Sequence, residues 1–139
     1  MTLEDLERQG LIRRLPVDPK KVEDELQIAR RDIAVAREIL PKSKDWAYNI
    51  AYNAVLQSLR AFMFDKGYRS SGDSHHLAVI KFAELFFESD VTIRLDRMRR
   101  KRSISTYDTA GIVSVQEAEN AIEMAENLLT IIEGKVGRG

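Results

Sequence analysis

Between Val115 and Ile132 the residues Val115, Ala118, Ile122, Ala125, Leu129 and Ile132 advance in alternating steps of three and four. That spacing puts all six on one stripe of an α-helix and is incompatible with the period of two of a strand. Ser114 and Glu117 open the run as a Ser-x-x-Glu capping box, a helix start signal. A helix with one apolar stripe has to bury it against other elements, so the rest of the chain must supply matching faces.

It does so with further helices. From about Lys20 to Leu40, Val22, Leu26, Ala29, Ile33, Ala36 and Leu40 form one stripe. Asp18 suits the N-cap, Pro19 the first helical position, and Pro41 ends the run. From about Ser43 to Lys66, Tyr48, Tyr52, Val55, Leu59 and Phe62 form an apolar stripe, and Ala47, Ala51, Ala54, Ser58 and Ala61 form a small-residue stripe beside it. Small side chains admit a close neighbour, so this helix is expected to be central. The short link at Pro41 makes the two helices antiparallel neighbours. GYRSSGDS, residues 67–74, reads as a loop, and a shorter helix follows from about His75 to Phe87. A fourth helix runs from about Asp90 into a basic stretch. TLEDLERQG adds a short helix at most, and GKVGRG is a tail expected to fray. No segment alternates convincingly as a strand. The expected fold is all-α, an up-and-down bundle of four to five helices forming one domain over residues 1–139. Residues 1–17 are read as an extension or short helix and 134–139 as a frayed tail.

The 139 residues suffice for one buried core, and 44% hydrophobic with 32% charged residues is a globular composition. The absence of cysteine excludes disulfides and thiolate zinc sites. No His-Glu-x-x-His, Gly-Lys-Ser/Thr phosphate loop or GxGxxG follows the spacing those sites need, so no metal or cofactor is expected. The start MTLEDLERQG is too acidic and polar for a signal peptide, and no run has the length of a membrane span. A cytoplasmic location is the expectation.

Formal net charge is zero, yet the charge is segregated. Arg94 to Arg102 holds six basic residues and one acid, whereas Val115 to Glu133 holds five acids and no base. Such asymmetry can create a local anion-binding surface. Within RMRRKRSISTYD, residues 97–108, most cations read as a solvated face at a helix C-terminus. Arg102 differs by geometry. Val91, Leu95 and Met98 step along the apolar face, and the next step of four lands on Arg102. An arginine at the end of a buried stripe needs a carboxylate, a phosphate or backbone carbonyls. An ion pair with an acid of another helix would satisfy it as well as a ligand would. Tyr107 reads either as an interface tyrosine or as part of an Arg102 site. His75 and His76, at a helix start, read as capping or packing groups or as auxiliary proton carriers. The helix dipole there disfavours imidazolium.

Three blocks, in order and correctly spaced, resemble the HEPN superfamily of small all-α proteins. They are DWAYNIAYNAVLQSLRAFMFDKGYR, SGDSHHLAVIKF and RRKRSISTYD. The last resembles the Arg-Arg-Lys-Arg-Asn-x-x-x-Tyr-Asp signature of one subgroup. The resemblance implies a helical bundle that forms homodimers and pairs with a small nucleotidyltransferase, often as a toxin–antitoxin module. Active members are metal-independent ribonucleases whose motif is Arg, a polar residue, then His after four to six intervening residues. The arginine maps onto Arg102 and the polar residue onto Ser103. The histidine position falls on Tyr107, Asp108 or Thr109, none of which is histidine. Metal-free RNA cleavage needs a proton carrier near neutral pH, which imidazole supplies and a phenol of pKa about 10 does not. The expected function is therefore a binding or regulatory module for RNA or nucleotide, using Arg99, Arg100, Arg102 and Ser103. The alternative is a metal-independent ribonuclease toxin with Arg102 and Tyr107 as catalytic residues, aided by His75 or His76.

Overall fold

A computed structural model describes residues 1–72 and 75–137, with Asp108 described in its backbone only. Asp73 and Ser74 of the expected loop, and Arg138 and Gly139 of the expected tail, lie outside the described residues. The chain forms a helical bundle with a small two-stranded sheet at one end.

Helix α1, Leu3–Arg8, is held by a capping box in which the Asp5 N–H donates to Thr2 Oγ1 and the Thr2 N–H donates to Asp5 Oδ2. Strand β1, Ile12–Arg14, follows. Helix α2, Pro19–Ile39, starts where expected, with the Lys20 N–H donating to Asp18 Oδ1. Helix α3, Lys44–Asp65, begins under a Ser43 cap that accepts from the Trp46 N–H. It ends at Gly67, whose φ of +85° is a backbone conformation that L side chains rarely adopt. Strand β2, Tyr68–Ser70, comes next, then helices α4, His75–Ala83, and α5, Ser89–Ser103. A five-residue π-helical turn, Ile104–Asp108, leads on to helix α6, Val115–Lys135, which has the expected Ser114–Glu117 capping box.

The core lies where α3 packs on α2 and α6. Ala47, Ala51, Ala54, Ser58 and Ala61 are fully buried, which is what a central helix with close neighbours requires. Outside this core, α2 and α6 are clasped by Arg30–Glu133 (2.6 Å) and by Arg37–Glu126.

Three expectations need correction. Residues 12–14 and 68–70 are strands, paired antiparallel with Ile12 opposite Ser70, Arg13 opposite Arg69 and Arg14 opposite Tyr68. Only Ile12 among the six is buried, so no alternation advertises them; the pairing follows from the turn at Gly67 returning the chain to the N-terminal segment. The helix from His75 stops at Ala83, and its last turns tighten as Leu85 and Phe86 N–H groups donate to carbonyls three residues back. In a regular helix successive side chains diverge by about 100°. Beyond the helix end the Phe86 and Phe87 rings nevertheless converge, their centroids 5.2 and 5.3 Å from that of Phe62. Finally, helix α6 takes in Gly134 and Lys135 of the expected tail, and the Gly137 N–H donates to Asp65 Oδ1. No helix among the described residues is long and apolar enough to cross a membrane.

Candidate functional site

The candidate site begins with the side chain that the stripe of α5 singled out. Arg102 is half-buried, and its partner is not a carboxylate: its Nε donates to Asn49 Oδ1 of α3 at 2.9 Å. Three other basic residues of the run are paired with carboxylates, whereas Arg97 is not, among the described residues. Arg99 and Arg100 both pair with Asp96, at 3.0 and 2.8 Å, and Lys101 pairs with Glu117 of α6 at 2.6 Å. Among the described residues Arg102 has no ion pair, so its guanidinium keeps donors for an anion.

Two aromatic rings flank it. Arg102 Cζ lies 6.0 Å from the centroid of the Tyr52 ring and 5.7 Å from that of Tyr107, within cation–π range. Tyr107 reaches this position through the π turn. Five residues along an α-helix would rotate its side chain about 140° from that of Arg102. The π turn, closed by the Thr109 N–H donating to the Ile104 carbonyl, widens the winding and returns Tyr107 to the same side. Tyr107 remains 71% exposed, a ring open to stacking, and Ser103 beside Arg102 is exposed too.

Tyr52 also contacts His76. The Tyr52 hydroxyl and His76 Nδ1 are 3.2 Å apart and their ring centroids 5.6 Å apart. Burial pushes the Tyr52 phenol up to about 12, so it stays protonated through the neutral range. Burial first, then the charges of Arg102 and Arg99, hold His76 below the usual imidazole value. His76 is therefore neutral at pH 7, a state able to accept a proton. His75 does not join this group; its Nδ1 lies 3.0 Å from Ser70 Oγ of β2.

Of the residues expected from sequence, Arg102, Tyr107 and His76 come together, with Arg99 close enough to act on Tyr52 and His76 by charge. Arg100 and Ser103 sit at the exposed margin, and His75 lies apart. Two residues escaped sequence reasoning. Asn49, which holds Arg102, was hidden in a helix read for its apolar faces, and Tyr52 was counted only as core. The available signal was a polar row, Asn49, Asn53 and Gln57, at helical steps of four along an otherwise apolar helix. No group of residues suited to holding a metal ion occurs among the described residues.

No curated protein matches the chain. In fold it is similar to the crystal structure of TT1696 from Thermus thermophilus, with a TM-score of 0.67 and 18% sequence identity over 84% of this chain and 98% of that one. At that identity the likeness speaks for the fold alone. The sequence itself matches the HEPN domain over residues 22–135, from the start of α2 to the end of α6 and through every element of the Arg102 site. The chain belongs to the HEPN domain family.

Proposed function

We propose that the protein is a phosphate-recognising HEPN module that binds RNA or nucleotide in the Arg102 cleft, acts as a homodimer, and works with a nucleotidyltransferase in a toxin–antitoxin-like system. The observation that carries the binding reading is Arg102 itself. A half-buried guanidinium fixed by a neutral amide and flanked by two rings has its charge uncompensated by any described carboxylate. Phosphate satisfies such a group, and an exposed ring such as Tyr107 offers a base a stacking surface. Arg102→Ala is expected to weaken binding of a labelled oligoribonucleotide at least tenfold, and Arg99→Ala less, because Arg99 is already paired with Asp96. Equal losses would mean that the basic run acts only as a diffuse field. The partnership is tested by co-expressing a nucleotidyltransferase encoded beside the gene and asking whether the two co-purify.

One observation favours the second reading, a metal-independent ribonuclease. The family's histidine is missing after Arg102, but His76 stands against Tyr52, which Arg102 overlies. In that reading the ribose 2′-hydroxyl attacks the adjacent phosphorus and His76 takes its proton. The bond to the 5′-oxygen breaks, and a proton from the imidazolium or from Tyr107 goes to that oxygen, leaving a cyclic phosphate and a free 5′-hydroxyl. Arg102 stabilises the charge on the phosphorane. Metal-free incubation with mixed RNA decides. Cleavage lost in both Arg102→Ala and His76→Gln establishes the ribonuclease, and binding without cleavage establishes the module.

A further inference from the structure

A pocket of about 470 Å³ lies on the other side of His76, walled by α3, α4, β2 and the start of α2. Its size is that of a small-ligand site. Lys21, Arg60 and Arg69 line it, together with both histidines, and no described carboxylate does. Lys21 and Arg69 have no ion pair among the described residues, and Arg60 has only Glu25, at 4.0 Å. The sheet adds to the imbalance: Arg13 and Arg69 are direct cross-strand partners, an arrangement of like charges that costs stability unless an anion sits near.

This pocket shares a residue with the Arg102 site. His76 is common to both, touching Tyr52 on one side and lining the pocket on the other. Along α3, Asn49 holds Arg102, while Asn53, Gln57 and Arg60 line the pocket in helical succession. From Asn49 to Arg60 the row covers about 16 Å at 1.5 Å per residue, too long for one phosphate and suited to a short run of nucleotides.

We propose that the pocket is a second phosphate subsite on one strand path, so that the ligand is an extended single-stranded RNA. Its backbone passes from Arg102 over His76 to Lys21, Arg60 and Arg69. The inference rests on the Arg102 cleft being a phosphate site. The path joins a cationic groove to aromatic surfaces, Tyr107 at one end and Phe64 in the pocket at the other, as single-strand binders do.

The test compares uridine oligoribonucleotides of two and eight residues, with AMP as a free mononucleotide, on the full chain and two variants. Lys21→Ala/Arg69→Ala removes two exposed side chains and leaves the core intact. Wild type is expected to bind the eight-residue strand about tenfold or more tighter than the two-residue one. The double variant loses that gain and keeps the two-residue affinity, and its log–log salt slope for the long strand falls by about 1.4, at about 0.7 per phosphate contact on a single strand. Lys21→Arg/Arg69→Lys restores the gain. If the double variant keeps the length dependence while Arg102→Ala abolishes binding, the second subsite is overturned and the cleft reading stands. If Arg102→Ala changes nothing, the cleft reading itself fails. AMP binding that depends on Lys21 and Arg69, without any gain from length, would assign the pocket to a free nucleotide and overturn the strand path.

Discussion

His76 is the residue whose chemistry depends most on its neighbours. Burial is the largest cause of its lowered pKa, and the positive charge of Arg102 is the next. Replacing Arg102 by Gln removes that charge while keeping a polar side chain, so the His76 ring should titrate at higher pH. NMR titration of the His76 imidazole protons reads this directly; an unmoved midpoint would mean that the Arg102 charge does not contribute. The same shift has a consequence for folding. In the unfolded chain the imidazole takes up a proton near pH 6.5, whereas the folded ring resists it until lower pH. Stability is then fully present above about pH 6.5 and is lost as pH falls through the folded pKa. Denaturation at pH 7.5 and pH 5 should show a smaller acid loss for His76→Gln than for wild type. Asn49 has a different role, because it orients Arg102 without carrying charge. Asn49→Ala should lower RNA affinity about tenfold or more, roughly the effect of losing about 1.5–3 kcal/mol from a hydrogen bond to a charged group, and should leave the salt slope unchanged.

Helix α3 organises the molecule, and its two faces were not equally readable in sequence. The alanine row that packs against its neighbours was legible because close helix packing demands small residues at regular steps. Ala51→Leu should therefore destabilise the fold by about 1–3 kcal/mol through overpacking. Ile122→Ala, at a fully buried position of α6, should cost about 2–5 kcal/mol through the cavity it leaves. Urea unfolding measures both, and a change below about 0.5 kcal/mol for Ala51→Leu, the size of a surface substitution, would deny α3 its central place. The other face of α3 was illegible, because Asn49 and Tyr52 acquire meaning only from α5 and α4 packed against them. Tyr52 and His76 are 24 residues apart, and no local pattern links them. The π turn was hidden for a related reason: i+5 bonding at Ile104–Thr109 leaves no periodicity over so short a stretch. Helix caps, by contrast, are local chemistry, and Asp18 and Ser114 each cap the helix that the sequence assigned to them.

Over the whole molecule, charge and apolar surface are distributed in ways that separate what the chain uses internally from what it leaves for a partner. Glu117, Glu126 and Glu133 of α6 are engaged by Lys101, Arg37 and Arg30, so much of the acidic face serves the bundle itself. The aromatic cluster is also largely spent at home. Phe82 and Met98 are buried in the protomer, and Phe87 packs against its core. Leu77, Ile93, Ile104 and Tyr107 remain exposed along α4, α5 and the π turn. Like faces packing about a two-fold axis are the common way to cover such a surface. A dimer would carry two Arg102 sites on one molecule and so reinforce the field that attracts a polyanion. Wild-type protein should sediment as a dimer at micromolar concentration, and Ile93→Lys, which puts a charge in the middle of that face, should shift it to monomer without loss of helical content. The monomeric variant should also bind the eight-residue RNA more weakly, with a shallower salt dependence, while its two-residue affinity stays near wild type. A wild-type protein that sediments only as monomer would remove the dimer, and an Ile93→Lys dimer would move the interface to another face.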